Sequence, residues 1–131
     1  MIDIESEVLN TVKNRLPEGV SFTPTFQPRP PHFPHVSGEE KSNSSYRATQ
    51  DSGSVENHAS VGYEFHIYSN KEGGKKAEAR ALCAVVDGIM QYFGFARTYC
   101  QPTPNLADAT VYRITARYEA VVDTHHNIYR R

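Results

Sequence analysis

Two runs of alternating side chains flank one long helical stripe between Ala59 and Asp123, and this frame constrains the chain more than any other feature. Val61, Tyr63, Phe65 and Ile67 alternate with Gly62, Glu64, His66 and Tyr68, which is the period of a strand with one dry and one wet face. After a turn over Ser69 to Gly74, the residues Leu82, Val85, Val86, Ile89, Met90 and Phe93 fall on a stripe that only a helix aligns, and Gly94 is placed to end it. From Thr110 to Asp123, Tyr112, Ile114, Ala116, Tyr118, Ala120 and Val122 take one face, while Arg113, Thr115, Arg117 and Glu119 take the other. Extended at about 3.3 Å per residue, this second strand is about 40 Å long, more than a small domain needs, so a bulge or an overhang is expected.

The N-terminal third is less regular. Asp3 is a candidate N-cap, Glu5 and Glu7 suit a first turn, and Ile4, Val8, Val12 and Leu16 recur every fourth residue until Pro17 and Gly19 stop the helix. Val20 to Gln27 alternates weakly. Pro28, Pro30, Pro31 and Pro34 then lack the N–H groups of a ladder, which predicts a segment at an edge or outside the sheet. Pairing can resume at Phe33 to Val36, and the polar stretch of about 37–58 reads as a long loop of the kind that serves function or orders against a partner. Pro102 and Pro104 open the last connection, and Ile128 to Arg131 can add a short terminal segment. Together these elements predict one α+β domain over residues 1–131. Its mostly antiparallel sheet of about four strands is packed by two helices, with a long loop or extended hairpin between strands.

Charge and composition exclude several classes. Lys+Arg number 14 against Asp+Glu 15, so no overall field draws the chain to nucleic acid or to a membrane, and the expected partner is another protein. The first residues form neither a basic nor an apolar leader, and no run approaches the ~18 apolar residues of a membrane span, so the protein is expected to stay where it is made. Cys83 and Cys100 do not form a ligand-spaced cluster; Cys83 lies on the apolar side of its helix, where a buried free thiol is ordinary, and a reducing setting fits.

Each chemical signal has a plainer reading. Gly73-Gly74-Lys75-Lys76 lacks the glycine spacing and the Ser or Thr of a phosphate loop and reads as the turn that opens the helix. The histidines His32, His35, His58, His66, His125 and His126 sit in no metal-ligand pattern, and no metal or cofactor is expected. Asp51 and Glu56 lie in a polar stretch without the apolar shelter that raises a carboxyl pKa for acid-base work, so no catalytic residue is assigned and no enzyme is expected. Tyr63, Tyr112 and Tyr118 share a face with Phe65, Ile67 and Ile114, which favours packing beneath a helix over stacking with bases. Arg113 and Arg117, with Glu64 on the neighbouring strand, read as cross-strand charges of the open face.

Several phrases occur together in order: Tyr46-Arg47-Ala48-Thr49-Gln50-Asp51-Ser52, Glu56-Asn57-His58-Ala59, Ile67-Tyr68-Ser69-Asn70-Lys71, Pro104-Asn105-Leu106-Ala107-Asp108-Ala109-Thr110 and Ile128-Tyr129-Arg130-Arg131. Taken together they resemble the tail terminator proteins of tailed bacteriophages and prophages, also described as tail completion or minor capsid proteins. The resemblance covers nearly the whole chain, and its phrases carry no catalytic motif. It implies a virion protein of the neck, assembled in the host cytoplasm as a hexameric ring. Such a ring caps the tail tube, halts its polymerisation and offers its other face to the head connector. The implied partners are copies of itself, the tail tube protein and head-tail connector proteins, with DNA only as cargo passing through the lumen and no membrane. Another neck component, an adaptor or stopper, is the alternative, followed by a small nucleic-acid-binding domain. On position and exposure alone, Arg47, Asp51 and Glu56 of the polar stretch are the first candidates for contact with a neighbour or the tube, and Arg113 and Arg117 the next.

Overall fold

The computed structural model describes residues 1–45, 58–104 and 108–130. The described chain runs α1 (Glu5–Arg15), β1 (Ser21–Thr23), β2 (His35–Ser45), β3 (His58–Ser69), α2 (Lys75–Phe93), β4 (Ala96–Pro102), β5 (Tyr112–Asp123) and β6 (Ile128–Arg130). The α+β class and the two helices are as expected. The sheet, however, has six strands in the order β1-β2-β3-β5-β4, with β6 also on β5, and it is mixed because β1 pairs parallel with β2.

The two alternating runs form the centre of this sheet. β3 and β5 pair antiparallel without a break from His58↔Asp123 to Ser69↔Tyr112. The length of β5 is explained by its other edge, which serves two partners in turn: β4 pairs with Ile114 to Glu119 and β6 with Ala120 to Val122. Val61, Tyr63, Phe65, Ile67, Ile114, Ala116, Tyr118, Ala120 and Val122 are buried, and the α2 residues Leu82, Cys83, Val86, Ile89 and Met90 complete the core with Val8, Leu9 and Val12 of α1. Two tyrosines of this layer keep their hydroxyls satisfied at its rim, Tyr63 donating to Glu40 at 2.7 Å and Tyr118 to Asp87 at 2.8 Å.

Gly94 ends α2 in the left-handed conformation at φ 102°, as its position suggested. Asp3 does not cap α1. Ile4 holds the N-cap position, and the Asp3 carboxylate instead accepts from the Glu5 N–H at 3.1 Å, one residue outside the expected geometry. Residues 37–45, expected as loop, continue β2 opposite His66 to Ala59 of β3, with a register shift between Glu40 and Ser42. Their polarity is that of the outer arm of a hairpin: beyond Glu39 most of the side chains are exposed. β4 was not anticipated either, because Pro102 and a bulge between Arg97 and Tyr99 disguise an edge strand.

Candidate functional site

The helices cover one face of the sheet, and the opposite face carries two surfaces of different character. Three cross-strand rows define it: His35, Tyr68 and Arg113; Ser37, His66 and Thr115; and Glu39, Glu64, Arg117 and Tyr99.

The first two rows are dry, although the alternation of β3 predicted a wet face. His35, Ser37, His66, Tyr68 and Thr115 are all buried. The proline-rich segment lies across them: the Phe26 ring sits 4.7 Å from that of His66 and 5.2 Å from the Arg113 guanidinium, and Pro30 is buried. Burial here requires partners, and the histidines have them. His35 Nδ1 lies 2.6 Å from Ser21 Oγ and Nε2 3.1 Å from Thr23 Oγ1, so this imidazole ties β1 to β2. The Thr103 hydroxyl donates to Thr115 Oγ1 at 2.8 Å, which leaves the Thr115 proton for His66 Nδ1 at 3.2 Å and makes His66 Nε2–H the donor to Glu64 at 2.9 Å. Burial, reinforced by Arg113, lowers the His66 pKa below its ordinary value, and burial with the nearby His32 lowers that of His35. Both rings are therefore neutral at pH 7. The hydroxyls of Ser37 and Tyr68 neighbour one another here without a hydrogen bond of good geometry, and Arg113 Nε is buried without a partner among the described residues.

The third row is open and ordered by direct contacts. Arg117 Nε donates to Glu64 at 2.7 Å, and the guanidinium lies 4.6 Å over the Tyr99 ring. At the β2 end, Lys41 pairs with Glu39 at 3.2 Å. Burial pushes the Glu64 carboxyl up, but the hydrogen bonds from Arg117 and His66, with the Arg117 charge, outweigh it and hold the group below the usual carboxylate range. Since His66 is neutral, the cation that holds Glu64 is Arg117, and the imidazole contributes an N–H. The Arg117 side chain remains 53% exposed while that of Glu64 is 12% exposed, so the pair presents a fixed cation over a sheltered acid. Lys41, Ser42, Gly62, Thr98, Tyr99 and Glu119 line a shallow depression around it.

Of the five candidate residues, Arg117 and Arg113 thus share the helix-free face but in different settings, one exposed in the open row and the other half-buried beneath Phe26. Arg47, Asp51 and Glu56 lie outside the described residues. Sequence reasoning missed the roof over the first two rows and the role of Tyr99. The signal for the roof was Phe26, the aromatic residue between Pro24 and Pro28; for Tyr99 it was its two-residue spacing from Gln101. No group of three or more metal-ligating side chains exists among the described residues, and Lys75, the first residue of α2, donates to the Thr110 carbonyl at 3.1 Å. No described helix is long and apolar enough to cross a membrane. Compared with known proteins, the chain matches no family model and no curated protein.

Proposed function

We propose that this protein is a structural subunit of a bacteriophage neck: a tail-terminator-like ring that caps the tail tube, stops its polymerisation and presents a surface for joining the head. The ordered phrases that resemble tail terminators motivate the reading. The single observation that carries it is the open row of Glu39, Glu64, Arg117 and Tyr99, a charged and aromatic strip held in fixed geometry on a sheet. A ring needs unlike surfaces that meet head to tail and close after a set number of copies, and no reaction. Arg117 is more than half exposed, so solvent screening leaves its pair with Glu64 a modest role in folding, and the value proposed for it lies in docking, where preset charges guide encounter and register. In the same reading Arg47, Asp51 and Glu56 join Arg117 at the contact with a neighbour or the tube, and Arg113 acts from beneath Phe26. The protein then belongs to the virion and reaches it from the host cytoplasm, with the tube protein and the head connector as partners.

Adding purified protein to growing tail tubes tests this. The expected result is a ring at one end of each tube and arrest of elongation, with Arg117→Gln, checked to be folded by circular dichroism, reducing tip occupancy. An adaptor or stopper would form rings that ignore free tubes. A protein that stays monomeric with tubes present at every concentration overturns the reading.

A further inference from the structure

We propose that Cys83 and Cys100 are a thiol-disulfide modification site, in which a low-molecular-weight disulfide such as oxidised glutathione links them and fastens edge strand β4 to helix α2. The two sulfur atoms lie 3.5 Å apart, although 17 positions separate them in sequence. Their settings differ in the way such chemistry needs. Cys83 is buried on α2, and Cys100 is exposed on β4. A groove lined by Arg80, Asp87, Arg97, Gln101 and Tyr112 opens over the pair and gives a small oxidant access to it. The Arg97 to Asp87 ion pair at 2.9 Å already holds β4 against α2 beside the sulfurs, so the link closes without moving either element far.

The order of events follows from exposure. Cys100 loses its proton to solvent, its thiolate attacks one sulfur of the oxidant, the oxidant's S–S bond breaks, and one small thiolate leaves with the electron pair. Burial, then the hydrogen bond and charge of Cys100, push the Cys83 thiol up to about 12, so Cys83 is not the first nucleophile. Once Cys100 is in the mixed disulfide it no longer exerts those last two effects. Cys83 then gives its proton to solvent and attacks the Cys100 sulfur, and the second small thiolate departs. The protein has lost two electrons and two protons, and the oxidant has become two thiols. This inference is independent of the ring reading, since it concerns contacts within one chain.

The test is to expose the reduced, folded full chain to oxidised glutathione and follow intact mass and peptide maps. The expected outcome is a loss of two hydrogen masses per chain, a single cross-linked peptide pair containing Cys83 and Cys100, and a rise in thermal midpoint that dithiothreitol reverses. The Cys83→Ser variant should stop at glutathione on Cys100, and Cys100→Ser should stay unmodified while folded. Denaturant should slow the ring-closing step in the wild-type chain. Stable glutathione on Cys100 of the wild-type chain, dimers joined through Cys100, or no reaction would each overturn the proposal.

Discussion

Arg117 and His66 sit in adjacent rows of one sheet face yet differ in character, and the difference is a matter of what lies over each. Alternation in β5 and β3 was enough to put Arg117 and Glu64 on the same face, and the register makes them direct cross-strand neighbours. Nothing in the period of β3 separates His66 from Glu64, because the separation comes from Phe26, in a proline-rich segment whose path no periodicity encodes. Removing that ring with Phe26→Ala is expected to raise the His66 pKa towards its ordinary value, since burial is the largest cause of its depression; titration of the imidazole signals by NMR measures this directly. The same shift makes a stability prediction. The folded pKa values of His66 and His35 lie below the unfolded value of 6.5, so above that pH both states hold neutral rings and no stability is at stake. As pH falls below about 6.5 the unfolded chain takes up protons that the native one refuses, and stability declines until the folded pKa is passed. Glu64, whose pKa is depressed, adds a second loss at lower pH as its carboxylate is protonated. Urea midpoints between pH 7.5 and pH 5, as an experimental range of about that width, should fall in the wild-type chain and fall less in His66→Gln; a flat wild-type profile contradicts the neutral assignment.

Strand β2 was only half visible beforehand, and the reason is its chemistry. Its inner half, His35 to Gly38, is buried, whereas beyond Glu39 it pairs through its backbone while its side chains are mostly exposed, so hydrophobic alternation has nothing to report. β4 escaped for a related reason: an edge strand interrupted by a bulge and ended by Pro102 resembles a loop in sequence. By contrast the helix stripe of α2 and its Gly94 cap could be read off directly, because a buried face and a left-handed residue leave a periodic and a chemical mark. Gly38 shows what a strand gains from lacking a side chain. A Cβ there would run into the ring of Phe65, its register partner on β3, and Phe65 is fully buried with its ring edge-on to Tyr118 at a centroid distance of 6.0 Å. Gly38→Ala is therefore expected to destabilise the fold by about 1–3 kcal/mol through overpacking. Phe65→Leu, destabilising alone, should couple favourably with it, so that the double variant loses less than the two single losses added, as a double-mutant cycle in urea would read.

For the assembly proposed above, the decisive feature is that the sheet has one face covered by helices and an opposite face divided between a roofed half and an open charged row. The β2 edge is occupied near its middle by the N-terminus, where the Glu40 N–H donates to Glu5 at 3.2 Å and Asn43 donates to the Ile2 carbonyl at 2.8 Å. The β4 edge is bulged and carries Arg97. Both devices discourage indiscriminate strand-to-strand growth and leave side-chain surfaces to direct association. If copies meet through the open row of one and an unlike surface of the next, rotation either closes them into a ring or propagates them into a filament. A terminator has to close. Mass photometry over a concentration series should accordingly give monomer and one discrete closed oligomer with little between them and nothing larger, either free or when seeded by tube ends. Because the row is charged and Arg117 is exposed, raising salt should shift the balance towards monomer, and Arg117→Glu should do so at low salt, where like charges within the row oppose docking most. A salt-insensitive oligomer that forms equally well with Arg117→Glu would mean that association uses another surface, even if the tube is still capped. A ladder of ever larger species would remove the closed ring itself.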